Sequence, residues 1–205
     1  MQVIDETGFY LVKLARHAAE SWIIKDEPPI PIEPIPKQAK LTTGTFVTVK
    51  SIFKDGHALR GCIGYPIGIK ALYEEVIDLA RESTLRDPRF PPVKENELQN
   101  LIFEVTVLTP PVEIQYNTPE ELLENIKIPG DGLIVKFRRF QGLLLPQVPI
   151  EQDWNKEEFI SHTCRKAFLP VDIWRNEKIT VEKFQGVVFS ETTPKGEIKR
   201  LSLNQ

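Results

Sequence analysis

Two cysteines carry the readiest nucleophilic chemistry in this chain, and one of them stands in an unusual setting, Leu59-Arg60-Gly61-Cys62-Ile63-Gly64. The thiolate is the reactive form of cysteine, and a neighbouring cation favours it. On an ideal strand Arg60 and Cys62 point to one face, which makes Arg60 a candidate activator of a Cys62 nucleophile, or a clamp for an anionic ligand. Gly61 and Gly64 permit a bulge or the close approach of a ligand or second backbone, and count as candidate binding positions. The same residues also fit a plainer arrangement, with Cys62 a small buried hydrophobe in a glycine-bent strand. Further along lies Asp87-Pro88-Arg89-Phe90. Pro88 pushes Asp87 away from helical angles. Asp87 and Arg89 can then project from a fixed loop as binding groups, or pair with each other and pin that loop.

Other chemistries find less support. A zinc site drawn from His57, Cys62, His162 and Cys164 lacks paired ligand spacing, and His162 and Cys164 on one helix would face different sides. Neither a metal nor a cofactor is expected. His57 precedes Cys62 by five positions, beyond hydrogen-bond reach along an extended strand. His17 lies beside the apolar stripe of its helix and reads as a rim residue. There is no phosphate loop, no Gly-x-Ser-x-Gly elbow and no His-Glu-x-x-His. Gly130-Asp131-Gly132 is not a dinucleotide fingerprint, for want of a third glycine.

The elements that must position these residues can be read from periodicity. Leu11, Leu14, Ala15, Ala18 and Trp22 predict a helix over about 5–25. Five prolines between Pro28 and Pro36 predict an extended strap. Thr45–Val49 and Ala58–Cys62 read as a hairpin about an Asp55-Gly56 turn, with the hexapeptide on the returning arm. A second helix over about 70–83 buries Leu72, Val76, Leu79 and Ala80. In the strand 100–108, Phe103, Val105 and Val107 share one face, while Glu104 and Thr106 share the other. Thr118 with Glu121, and Asn155 with Glu158, are capping boxes for helices over about 119–127 and 156–169. In the latter, Ile160, Cys164, Ala167 and Phe168 are expected on one buried face. Hairpins are expected at 131–148 and at 181–203.

The 205 residues suffice for one domain with a sizeable core or two small ones, and 41% hydrophobic with 27% charged residues is ordinary for a soluble protein. A net charge of -3 argues against a dedicated nucleic-acid binder. Aromatic and basic residues interleave at Lys136-Phe137-Arg138-Arg139-Phe140, which an exposed hairpin explains as well. No apolar run approaches the length of a membrane span, the start lacks a signal-peptide pattern, and two distant cysteines form no disulfide framework. A cytoplasmic, reduced protein is expected. Seventeen prolines would suit a thermophile.

The hexapeptide Leu59–Gly64 and the block Asp87–Phe90 resemble the signature motifs of the AMMECR family, and supporting similarity extends from the first helix to the strand near Phe189. The family's pattern places glycine where this chain has Phe168, which weakens any role for Lys166. The resemblance implies an archaeal or thermophilic-type member whose whole chain, 1–205, is one AMMECR domain of unestablished activity. It implies two subdomains with an interdomain cleft, and a pathway shared with Memo-type and radical-SAM proteins. The fold expected is α+β, an antiparallel sheet flanked by helices. The larger subdomain, 1–110 plus 171–205, would carry both motifs, and the smaller would be 111–170. The residues leave open whether the protein is an enzyme. One reading is a small-ligand-binding or catalytic module, with Cys62 as nucleophile or covalent carrier, Arg60 as its activator, and Gly61, Gly64, Asp87 and Arg89 as binding groups. The other is a non-enzymatic regulatory module that binds protein or RNA through the hexapeptide surface.

Overall fold

Apolar residues at helical spacing make the first helix, α1 (Asp5–Glu20), which buries Leu11, Leu14, Ala15 and Ala18 completely. A π-helical turn, Ser21–Lys25, carries it as far as the spacing predicts, and the Arg81 guanidinium lies 4.1 Å above the Trp22 ring. The structure, a computed structural model, describes residues 4–54 and 56–201. Its contacts form two units: one takes the chain as far as Leu108 and again from Val187, and the other is Thr109–Gly186.

In the first unit the proline-rich segment is an irregular strap whose Ile32 and Ile35 pack on the core. Strands β1 (Thr45–Phe53) and β2 (Gly56–Tyr65) pair as the predicted antiparallel hairpin, longer than the periodicity suggests. Asp55, half of the Asp-Gly turn signal, lies outside the described residues. Helix α2 (Leu72–Arg81) buries Leu72, Val76, Leu79 and Ala80, and a π-helical turn, Glu82–Arg86, delivers the chain to Asp87. A 3-10 turn, Glu95–Asn100, leads into β3 (Leu101–Leu108), which pairs antiparallel with β1. Val47, Val49, Phe103, Val105 and Val107 are fully buried with α1 and α2 in one core cluster.

The second unit holds β4 (Val112–Glu113), α3 (Pro119–Asn125), the hairpin β5 (Asp131–Phe137) and β6 (Phe140–Leu144), α4 (Val148–Glu151), α5 (Lys156–Lys166) and α6 (Ile173–Asn176). Asn155 and Glu158 form the expected capping box of α5. Thr118 caps α3 through the Glu121 N–H, whereas Glu121 reaches back to the Asn117 N–H. The long strand β7 (Thr180–Glu191) serves both units. Its residues up to Gln185 pair with β4 and β5, and Val188–Glu191 pair with β8 (Ile198–Leu201). The sheet order is β2-β1-β3-β7-β8 in the first unit and β4-β7-β5-β6 in the second. Residues 171–186 therefore lie with the second unit and not with the larger one, because Val181, Glu182, Lys183, Phe184 and Gln185 find their ladder partners on β5.

A buried ion pair ties the first unit together. Arg16 on α1 grips Glu191 through Nε and Nη2 at 2.5 and 2.6 Å, donates from Nη2 to the Leu101 carbonyl at 2.6 Å, and lies over the Phe103 ring. Glu191 also accepts the Phe103 N–H at 2.9 Å. The two residues are only 7% and 4% exposed. The fork of bonds offsets a desolvation cost that an unmatched partner would leave standing.

One apolar position departs from its predicted place. Ile160, Cys164 and Ala167 are buried, but Phe168 is 90% exposed. The helix ends at Lys166, and Phe168 adopts a left-handed φ of 58°, with the Leu169 N–H returning to the Cys164 carbonyl. That is the helix-closing position that glycine fills without strain. Phe168→Gly is expected to raise stability by about 0.5–1 kcal/mol, the left-handed penalty less glycine's added unfolded-state freedom, measured by urea unfolding.

Candidate functional site

β2 is an edge strand, so half of its peptide groups face away from β1 and need other partners. At Cys62 the loop after α2 supplies them. Asp87 Oδ2 accepts the Cys62 N–H at 2.9 Å, and Arg89 Nη2 donates to the Cys62 carbonyl at 3.0 Å. Asp87 and Arg89 also grip each other, from Nε to Oδ1 at 2.9 Å and from Nη2 to Oδ2 at 2.7 Å. The Arg89 N–H adds a bond to Oδ1 at 3.1 Å. The geometry thus joins both alternatives for this loop: the Asp–Arg pair pins it, and the pinned pair clamps the peptide of Cys62. Asp87 is 3% exposed, while the Arg89 side chain is 52% exposed. The Arg89 guanidinium, helped by the Cys62 and Arg89 N–H groups, holds the Asp87 carboxyl far below the usual carboxylate range against the opposing effect of burial.

With its peptide turned outward, Cys62 meets Thr48 of β1 as a non-hydrogen-bonded pair, the narrow kind in which side chains come closest. The Thr48 hydroxyl donates to Cys62 Sγ at 3.1 Å. Thr48 is in turn opposite Glu104 of β3, and Glu104 takes an ion pair from Lys50 at 2.7 Å. Cys62, Thr48 and Glu104 form a row across three strands on the face opposite Val47, Val49, Phe103 and Val105. Thr48 and Glu104 are each 8% exposed and Cys62 is half-buried. This face holds polar residues that the motifs did not single out, Thr48, Lys50, Glu104 and Thr106. Glu104 and Thr106 are legible as the polar side of their strand, but the register that sets Thr48 between Glu104 and Cys62 belongs to the sheet.

Arg60 goes elsewhere. The pairing slips by one residue between Val49–Gly61 and Lys50–Leu59, which makes Arg60 the extra residue of a β-bulge. The bulge breaks the alternation that would set Arg60 beside Cys62. Its Nε and Nη2 donate to Glu97 at 2.9 and 3.1 Å, and its Nη1 to the Pro91 carbonyl at 2.9 Å. Glu97, held below its ordinary range chiefly by Arg60, also accepts the Lys94 N–H. Arg60 therefore ties β2 to the segment after the Asp-Pro-Arg-Phe loop. The cation that reaches Cys62 is Arg89, through its bond to the Cys62 carbonyl, and the Asp87 carboxylate holds that guanidinium protonated.

The glycines have packing reasons. A side chain at Gly61 would run into the Ser83 carbonyl of the π-helical turn, and one at Gly64 into the Phe46 ring. Cys164 is fully buried, its thiol pushed up to about 12 by desolvation. His162 stacks on Trp154 with ring centres 3.8 Å apart, and burial and Arg165 push its pKa down. The His17 ring bonds the Ile30 carbonyl of the strap. Among the described residues no three His, Cys, Asp or Glu side chains are placed to hold a metal, and no helix is long and apolar enough to cross a membrane.

Asp87→Asn is expected to cost about 2 kcal/mol at pH 7, since buried donors lose a charged acceptor. The sign with pH follows from the lowered carboxyl. Its contribution is fully present above the unfolded value of about 3.9 and is lost as pH falls through the folded one. The gap between wild type and Asp87→Asn, read by urea unfolding, narrows below about pH 4.

The AMMECR1 family profile matches residues 12–189. Protein PYRAB00100 of Pyrococcus abyssi is 45% identical over 203 residues, covering 98% of each chain. Protein MJ0810 of Methanocaldococcus jannaschii is 41% identical, covering 94% of each. The crystal structure of the uncharacterized protein PH0010 from Pyrococcus horikoshii superposes with a TM-score of 0.80 at 44% identity, covering 98% of this chain and 99% of that one. With the profile spanning most of the chain and such relatives matching along nearly all of it, this protein belongs to the AMMECR1 family, a domain of unestablished activity.

Proposed function

We propose that Cys62 is the reactive group of a small-molecule site on the polar face of β1, β2 and β3, acting as a nucleophile or covalent carrier. The observation that carries this reading is the clamp on its peptide. Asp87 holds the N–H and Arg89 the carbonyl, so the half-buried thiol is presented at a fixed place beside the Thr48 hydroxyl. A fixed nucleophile loses little entropy on reaction. A hydroxyl donating to sulfur and a cation nearby both favour the thiolate. In the reaction class this suits, the thiol gives its proton to solvent. The sulfur then forms a bond to an electrophilic carbon of the ligand, and the leaving group departs with the bonding electron pair. Thr48 and Arg89 stabilise the sulfur anion, Asp87 orients both, and Lys50 with Glu104 borders the ligand. Arg60 is a positioning residue through Glu97. Such a thiol stays free in the reducing cytoplasm, where this reading places the protein.

A second reading rests on exposed apolar side chains around the same hexapeptide: Leu59, Tyr65, Ile67 and Ile69. They suit a protein partner, with Cys62 a structural neighbour.

The test is the rate of Cys62 alkylation at pH 7 in native Cys164→Ala protein. The nucleophile reading expects labelling faster than that of a free cysteine peptide, slowed in Thr48→Val and in Arg89→Gln and little changed in Arg60→Gln. A rate no faster than the free peptide in all four proteins, or no labelling before unfolding, sinks it and leaves the partner reading. In wild type, Cys164 should label only on unfolding.

A further inference from the structure

The hairpin of β5 and β6 ends in Phe137-Arg138-Arg139-Phe140, with Phe137 paired to Phe140 across the turn. Arg138 takes a left-handed φ of 54°, which an arginine rarely adopts. Its guanidinium lies 5.1 Å from the centre of the Phe137 ring, and that of Arg139 lies 5.3 Å from the centre of Phe140. The strand leaving this tip rests directly on the end of α5. A side chain at Gly142 would run into the Thr163 carbonyl and the Ala167 N–H. The helix end carries Arg165, Lys166 and the exposed Phe168. By chain reach, the Cα atoms of Phe140 and Phe168 are within about 15 Å of each other. The corner therefore gathers Arg138, Arg139, Arg165 and Lys166, none of which makes an ion pair among the described residues, with the rings of Phe140 and Phe168.

Fold requirements explain part of this. Cations at a helix C-terminus complement its dipole. They do not explain why two left-handed positions, each cheap for glycine, carry a solvent-exposed arginine and a phenylalanine. An excess of positive charge here, on a chain of net charge -3, selects an anionic occupant. The order of the tip selects among anionic occupants. The arginines stand at the turn itself and the rings behind them, so no apolar wedge leads, as insertion into a membrane would require. Guanidinium groups spaced along a strand of phosphates, with the exposed Phe168 ring and the Phe140 ring beside Arg139 to stack on bases, match a single-stranded nucleic acid.

We propose that this corner of the second unit binds single-stranded nucleic acid, the four cations contacting phosphates and Phe140 and Phe168 stacking on unpaired bases. It is independent of the Cys62 site.

The test is fluorescence anisotropy of a labelled mixed-sequence RNA of about twelve nucleotides, a span within reach of one such module. Wild type is expected to bind more tightly than about 0.1 mM at 0.1 M salt. The double variant Arg138→Ala, Arg139→Ala should weaken binding about tenfold and flatten the salt dependence by about 1.4 in log–log slope, two cations at about 0.7 each. Phe168→Gly, which suits its backbone and should fold at least as well, should weaken binding about fivefold or more without changing the slope. Wild type binding no more tightly than about 0.1 mM, or binding that all three substitutions leave unchanged, overturns the proposal. So does loss, in these variants, of binding to phosphatidylglycerol vesicles with the RNA affinity intact, which would assign the corner to a membrane surface.

Discussion

The carboxylate of Asp87 takes hydrogen bonds from the Cys62 N–H, the Arg89 N–H and two nitrogens of the Arg89 guanidinium, while almost none of it reaches water. An edge strand leaves peptide groups to be satisfied from outside the sheet, and a buried anion has to be met by donors. The two requirements are solved together. The loop that carries the anion closes the strand edge, and the strand edge supplies one of the donors that keep the anion charged. Everything at the candidate site inherits its position from this exchange. It turns the Cys62 peptide outward, which makes the pairing with Thr48 the close one and brings hydroxyl and sulfur together.

Two glycines and a bulge let that exchange happen. Gly61 gives the π-helical turn before Asp87 room to reach the strand, because any Cβ there would meet the Ser83 carbonyl. The bulge at Arg60 sends the nearest cation away to Glu97 and Pro91, where it braces the segment on the other side of the loop. The hexapeptide therefore divides its labour. Arg60 and Gly61 fix where the loop sits, and Cys62 is what the fixed loop presents. The buried Arg16–Glu191 pair joins α1, β3 and β7, so the strand carrying Glu104 has little freedom to slide.

The second unit is built with different means. Its core collects Leu122, Leu133, Val135, Phe159, Ile160, Cys164 and Val181 in a cluster of its own. Its strands also carry the ion pairs Lys136–Glu182 and Lys183–Asp131. Left-handed backbone falls at Arg138, Asp153 and Phe168 in this unit, as it does at Asp26 and Lys195 in the first.

Much of this was legible in the chain alone. Periodicity located α1, α2, β3 and α5 because helices and half-buried strands write their burial as spacing. Cys62, Asp87 and Arg89 could be singled out by residue type and by the proline that frees Asp87 from a helix. Contacts made between elements could not be read this way. Arg60 and Cys62 share a face on an ideal strand, and a single extra residue undid that inference, since the period of a strand survives no insertion. Thr48 and Glu104 became site residues only through the pairing of β1 with its two neighbours. Phe168 fits the apolar stripe of α5, yet it faces water because the helix closes two residues earlier, on a hydrogen bond from Leu169 to Cys164. Spacing determined which side chains are apolar or polar along each element; register, bulge and helix closure, which depend on what lies opposite in space, decided which of them meet.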